Sequence, residues 1–407
     1  MKTVSGGVTA AKGFSAAGIH CGIRKNKTKK DLALILSDVP ASAACVYTQN
    51  LVKGAPLLVT QQHVRNGFAR AILCNSGNAN TCNADGIEIA ETMCSLLAAE
   101  AGLTPDDCVI ASTGVIGQPL PIAPIASATP LLVASLRADV QGSADAAEAI
   151  MTTDTVRKEV AFTFELDGHS CCIGGIAKGS GMIHPNMATM LVFITTDAAI
   201  APALLQKALS EDVPDTFNMI SVDGDTSTND MVCVLANGMA GNSCITDPAS
   251  GTYAAFCQAL HAVTTHLCRA IAADGEGATK LLMCSVSGAA DHAAARVIAK
   301  AVICSSLVKT AMFGADANWG RVLCAIGYAG VPVNPACVDV AFASNAGRID
   351  VCKAGAGIDF SERAAKQILS GKEIQILVAL NSGTASATAW GCDLTYDYVK
   401  INGDYRT

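Results

Sequence analysis

The amino-acid sequence predicts an α+β fold in which sheets and helices are layered in a mixed order. Three observations carry that prediction. Segments with the two-residue period of strands and segments with the 3.6-residue period of helices are both spread along the chain. They do not alternate one for one, which disfavours a doubly wound parallel sheet. Apolar residues fill 51% of 407 positions, enough for a substantial buried core.

In chain order, Leu32 to Leu36 is the first strand candidate, and Ile89, Met93, Leu96 and Leu97 recur at helical spacing. Val109-Ile110 reads as a strand, and Ser112-Thr-Gly114, taken alone, as the turn after it. From Cys108 to Leu136 the chain is uncharged but carries Pro119, Pro121, Pro124 and Pro130. A membrane-spanning helix with such breakers would leave backbone groups unsatisfied in lipid, so the mean hydropathy of +0.37 is read as that of a soluble, Ala- and Gly-rich protein. The apolar residues between Gln118 and Pro130 predict a packed connection instead of a linker. Lys158 to Leu166 and Leu191-Val192-Phe193-Ile194 are strand candidates. Phe256, Leu260, Val263, Leu267 and Ile271 predict a helix, and Ile374, Ile376, Val378 and Leu380 a half-buried strand.

Composition narrows function. With 28 basic and 35 acidic side chains, a net charge of −7 and 4% aromatics, no basic stripe is available to neutralise a phosphate backbone, which argues against nucleic-acid binding. Met1 to Gly18 lacks the apolar run of a secretory signal, so a cytoplasmic location is expected. The 18 cysteines form no Cys-x-x-Cys pair and the seven histidines no HExxH spacing. They are expected to be free, mostly buried thiols, with no metal site and no cofactor.

The segment with most chemistry is Gly174 to Leu191, GGIAKGSGMIHPNMATML. Its glycines could cradle a phosphate, but Ser180 follows Gly179 where a nucleotide loop needs lysine. What remains is a flexible, polar approach to Met187-Ala188-Thr189, and Thr189 alone reads as the threonine that starts a strand. His184, five residues earlier, is a competing candidate base. Asp223, Asp225 and Asp230 lack the glutamate of a calcium loop and are read as turn and structural hydrogen-bonding residues.

Several blocks together, however, resemble the ornithine acetyltransferase family, which includes bifunctional glutamate N-acetyltransferases. These are Asn75-Ser-Gly-Asn-Ala-Asn80, Ser112-Thr-Gly-Val-Ile-Gly117, Lys178 to Thr196, Val222-Asp-Gly-Asp-Thr-Ser-Thr-Asn-Asp230, Asp274-Gly-Glu-Gly-Ala-Thr-Lys280 and Phe313-Gly-Ala-Asp-Ala-Asn-Trp-Gly-Arg321. They occur in family order across nearly the whole chain. One departure stands at Cys82-Asn-Ala-Asp85, where the family usually has a Cys-Thr-Gly run.

The resemblance implies a mixed α/β layered, sandwich-like fold of the self-cleaving ornithine acetyltransferase and aminopeptidase type. It implies a precursor that cuts itself between Ala188 and Thr189, giving chains 1–188 and 189–407 that share one core and assemble as a heterotetramer of two copies each. Thr189 would be the nucleophile, with Thr113 and Gly114 as the oxyanion hole. Substrate-binding positions map to Thr152, Lys178, Thr189, Glu276, Asn402 and Thr407. The implied substrates are N-acetylornithine and glutamate, with acetyl-CoA as an alternative acetyl donor. By themselves Lys178 reads as a solvated lysine on a Gly-rich loop and Glu276 as a solvated glutamate. The rival reading is an N-terminal-nucleophile aminopeptidase or amidase, in which water takes the acyl group.

Overall fold

A computed structural model describes residues 1–184 and 190–403. Two mixed sheets organise these residues. The first has nine strands, running Lys2–Val4, Lys158–Leu166, His169–Lys178, Leu191–Thr196, Met231–Ala236, Leu32–Tyr47, Phe68–Asn78 and Cys108–Val115, with Phe14–Ile19 paired to the first half of Leu32–Tyr47. The second has seven, in the order Ala356–Gly357, Gly347–Lys353, Asp339–Ser344, Glu373–Ala379, Leu281–Ala289, Ala385–Cys392 and Ile220–Ser221.

Leu191–Thr196 and Met231–Ala236 run parallel at the middle of the first sheet and every residue of both is buried. Their sequences, LVFITT and MVCVLA, are the near-continuous apolar runs expected of strands covered on both faces. Both follow position 188, yet their outer neighbours His169–Lys178 and Leu32–Tyr47 precede it. The sheet is thus interleaved from the two halves of the chain. In the second sheet Ile374, Ile376 and Val378 are buried while Glu373 and Gln375 are exposed, the period of two anticipated from sequence.

The helix Gly251–Ala273 sits between the sheets, touching Lys158–Leu166 and His169–Lys178 on one side and Ala385–Cys392 on the other. Its start is capped by the Ser250 hydroxyl, which accepts from Tyr253 N at 3.1 Å. Phe256, Leu260, Val263, Leu267 and Ile271 form its fully buried stripe and join the largest core cluster. Two smaller clusters cover the other face of the first sheet under Val140–Ile150 and pack Gly86–Ala101 and Ile122–Ala134 over its edge. All 18 cysteines are free and most are buried.

Three local expectations need correction. The Pro-rich stretch is a helix, Ile122–Ala134, rather than a connection. Pro124 falls in the first turn, where its missing N–H costs no internal bond, and the buried Ile125, Thr129 and Leu132 hold the helix despite Pro130. Ser112-Thr-Gly114 is not a turn but the continuation of the strand Cys108–Val115, because Gly114, lacking a Cβ, lets its backbone approach that of Gly77 closely. Nor is the Gly-rich approach free. Gly179 N donates to Asp154 Oδ1 at 2.7 Å, and the buried Ser180 hydroxyl donates to the Asp274 carbonyl at 2.7 Å. Among the described residues no helix is long and apolar enough to cross a membrane.

Candidate active site

A cavity of about 310 Å³ opens where the ends of the first-sheet strands meet the loops before Leu281–Ala289. Thr113, Gly114, Thr152, Lys178, Glu276 and Asn402, far apart in sequence, all line it. Met190 and Leu191 line it too. Ala188 and Thr189 lie outside the described residues, as does Thr407.

Each wall has a physical cause. Gly114 has φ 131°, a left-handed conformation that side chains resist, and a Cβ there would lie 2.4 Å from the Gly77 carbonyl carbon. Glycine is therefore required for the strand end to reach the cavity. Asn229 fixes that end: its Nδ2 donates to Ala79 O at 2.6 Å and Ser112 O at 3.0 Å, while its Oδ1 accepts from the hydroxyls of Thr81 at 2.5 Å and Thr228 at 2.6 Å. All four capacities of one buried amide are used to clamp two segments.

Lys178 ends the strand His169–Lys178 and is 8% exposed. Its Nζ donates to Thr113 Oγ1 at 3.4 Å, so a cation stands beside the Thr113-Gly114 edge. Glu276, also 8% exposed, lies opposite Gly181, where a Cβ would meet the Glu276 carboxylate at 2.4 Å. Its Oε2 accepts from Asn402 Nδ2 at 2.7 Å, and its backbone N donates to Ser180 O at 2.9 Å.

Beneath them lies a buried ionic cluster that sequence reasoning missed. Lys158 Nζ donates to Asp154 Oδ1 at 2.7 Å and Asp274 Oδ2 at 2.6 Å, and its side chain is fully buried. Asp154 also accepts from Gly179 N and, through Oδ2, from Thr152 N at 2.9 Å. Burial alone would raise the Asp154 pKa, but the charges of Lys158 and Lys178 and the Gly179 N–H bring it down to about 2. Asp154 therefore stays ionised and links Thr152 to the segment bearing Lys178.

The sequence model of the ArgJ family matches residues 15–407. The chain belongs to the ArgJ family. It is 52% identical to the arginine biosynthesis bifunctional protein ArgJ of Symbiobacterium thermophilum over 100% of both chains. To the Bacillus subtilis protein of the same name it is 46% identical, over 99% of this chain and 97% of that one. The crystal structure of arginine biosynthesis bifunctional protein ArgJ from Bacillus halodurans is 49% identical, covers 53% of this chain and 100% of its own, and superposes with a TM-score of 0.51.

Three polar residues singled out from sequence take distinct places in this ArgJ-family chain. His184 does not line the cavity. It belongs to a second one with Lys300 and Cys304, where its Nδ1 is 3.1 Å from Ser221 Oγ and 3.6 Å from Cys304 Sγ. Burial, then the Lys300 charge, pushes its pKa down to about 4, so it is neutral near pH 7. Asp223 is structural as expected, accepting from Met182 N at 2.6 Å and Ile183 N at 2.9 Å. Asp230 is also hydrogen-bonded, to Ser227 by its side chain and to Thr48 N by its carbonyl, but in addition it lines the cavity, is 3% exposed, and its Oδ2 has no hydrogen-bond partner among the described residues. The signal in sequence is a Thr-Asn-Asp run directly ahead of an all-apolar strand, which puts polar groups at the end of a buried strand. The departure at Cys82-Asn-Ala-Asp85 folds as a loop with Asn80 and Cys82 at φ 48° and 61°, tied by Asn80 Nδ2 to Gly86 O at 2.8 Å.

Proposed function

We propose that this ArgJ-family enzyme transfers an acetyl group from N-acetylornithine to glutamate through an acetyl ester on Thr189. The observation that carries the reading is the convergence of Thr113, Gly114, Thr152, Lys178, Glu276 and Asn402 on one cavity that Met190, the residue after Thr189, also lines. The Thr189 hydroxyl first attacks the Ala188 carbonyl. The resulting ester is opened by water, and chains 1–188 and 189–407 form. The new α-amino group, with an ordinary pKa of ~7.7–8.0, then has a neutral fraction able to take the hydroxyl proton. The Bacillus halodurans crystal chain matches along its whole length yet spans 53% of this one, the share expected of residues 189–407.

N-acetylornithine acylates Thr189 and ornithine leaves. Glutamate, its α-ammonium having lost one proton to water, attacks the ester as the neutral amine; a second proton passes through the Thr189 amine to the departing Thr189 oxygen, and N-acetylglutamate leaves. The Thr113 hydroxyl and Gly114 N–H stabilise the oxyanion of each tetrahedral intermediate, a contribution of roughly 3–4 kcal/mol per donor in comparable sites. Lys178 pairs with the substrate carboxylate and Glu276 with the ornithine side-chain ammonium, with Thr152, Asn402 and Thr407 completing the pocket. The relatives' description as bifunctional supports acetyl-CoA as a second donor. Interleaved strands keep the two products together, and two copies of each form a heterotetramer whose native mass is twice 41.5 kDa.

The test is product analysis with glutamate and each donor in turn. N-acetylglutamate formed from N-acetylornithine supports the reading, and its formation from acetyl-CoA supports the second activity. Free acetate appearing faster than N-acetylglutamate would favour the aminopeptidase or amidase alternative.

A further inference from the structure

Three charged side chains line the cavity among the described residues: Lys178, Glu276 and Asp230. An N-acetylated donor such as N-acetylornithine carries one carboxylate and one distal ammonium, because its α-nitrogen is an uncharged amide. One cation and one anion suffice for it. A free amino acid brings a third charge, the α-ammonium. The second carboxylate in the wall is surplus for the donor and matched to that group. Glutamate has a single ammonium, and of the two wall carboxylates Asp230 is the one with a buried oxygen that meets no hydrogen-bond donor among the described residues, while Glu276 already accepts from Asn402.

The state of Asp230 fits a receptor waiting for a cation. A buried carboxylate oxygen that meets no donor among the described residues is costly, and a ligand N–H at that oxygen offsets the cost. Burial pushes its pKa well above the usual carboxylate range, with Lys178 and then Ser227 only partly opposing the rise. An ammonium in the cavity supplies a countercharge that favours the ionised form. The backbone beneath is tied by hydrogen bonds. The Asp230 carbonyl accepts from Thr48 N at 3.0 Å, Met231 N donates to Met190 O at 2.9 Å, and Asn229 is clamped on four sides. Glu276 is less suited to the same role, because Asn402 already occupies its Oε2.

We propose that Asp230 binds the amino acid that accepts the acetyl group through its α-ammonium, which then gives up one proton to water and attacks as the neutral amine, a role that rests on the acetyl-transfer reading above. It makes Asp230 a contact for the acceptor amine in the second half-reaction that donor binding in the first does not use. The test compares the wild type with Asp230→Asn, both checked by mass for self-cleavage. The first half-reaction is followed as the burst of ornithine from N-acetylornithine without acceptor, the second through the KM for glutamate. Losing a charge-assisted hydrogen bond is expected to raise the glutamate KM roughly 10- to 100-fold, and the donor dependence of the burst should move by less than about threefold. An unchanged glutamate KM, or an equal loss in both half-reactions, overturns the proposal and leaves the transferase reading standing, provided the wild type makes N-acetylglutamate. Wild-type enzyme that makes only acetate removes the transferase reading and the proposal with it. Should the Asn variant remain uncut, the wild type decides: 2-hydroxyglutarate, which keeps both carboxylates but lacks the ammonium, should inhibit with a constant at least about tenfold above the glutamate KM. Equal constants overturn the role.

Discussion

Replacing Asp154 by asparagine removes one charge from the buried cluster under the cavity while keeping the side chain's shape. Lys158 then keeps a single carboxylate, Asp274, and one of the two N–H groups held by Asp154, from Thr152 or Gly179, loses its acceptor. Breaking a fully buried pair in this way costs about 3–5 kcal/mol. Part of that cost depends on pH in a fixed direction. The folded Asp154 pKa is depressed to about 2 from the ordinary 3.8, so its contribution is complete above pH ~4 and is lost as pH falls towards 2. The shift corresponds to roughly 2 kcal/mol, of which about half remains at pH 3. Urea unfolding, read by fluorescence of Trp319 and Trp390 in a Thr189→Ala background that keeps one continuous chain, measures both quantities. The Asn variant should be less stable by about 3–5 kcal/mol at pH 6, and the gap should narrow by about 1 kcal/mol at pH 3. A gap below about 1 kcal/mol at pH 6, or one that widens on acidification, would refute the reasoning.

Gly114→Ala forces a Cβ to within 2.4 Å of the Gly77 backbone, so acetyl transfer should fall by about 100-fold or more as the strand end shifts, measured as kcat/KM for N-acetylornithine. Asn229→Ala removes a donor from Ser112 O and leaves Ala79 O only the Thr81 hydroxyl at 3.3 Å, and should lower the unfolding free energy by roughly 1–3 kcal/mol in urea titration; a loss under about 0.5 kcal/mol would contradict the clamp. His184→Ala, at a residue outside the cavity, should leave the position of the pH–rate profile of acetyl transfer unmoved, whereas a missing limb near neutrality would restore it as a base.

Much of the fold is legible in local patterns because burial imposes a period on the chain. Ile374 to Val378 and Phe256 to Ile271 show it directly, and Leu191–Thr196 shows its two-sided form. The Pro-rich helix Ile122–Ala134 is not legible, since intrinsic propensity argues against it and only tertiary burial of Ile125 and Leu132 sustains it. The end of strand Cys108–Val115 is misread for a related reason. Ser, Thr and Gly favour turns in isolation, and the close partner Gly77 is remote in sequence. At the site, residue-level reasoning leaves Lys178 and Glu276 as ordinary surface charges, and the resemblance singles them out. The structure adds what neither contains: both are buried, and they stand on a cluster in which Asp154, Lys158 and Asp274 come from distant segments. Asp230 was hidden by its neighbours, because Asp223 in the same run really is a hydrogen-bonding turn residue.

The most direct test of the central claim is the intact mass of the purified protein beside that of Thr189→Ala. Two fragments, ending at Ala188 and beginning at Thr189, are predicted for the first, and one chain of 41.5 kDa for the second, without acetyl transfer. An active wild-type chain that stays whole, or a variant that is still cut and still transfers acetyl groups, would contradict the account.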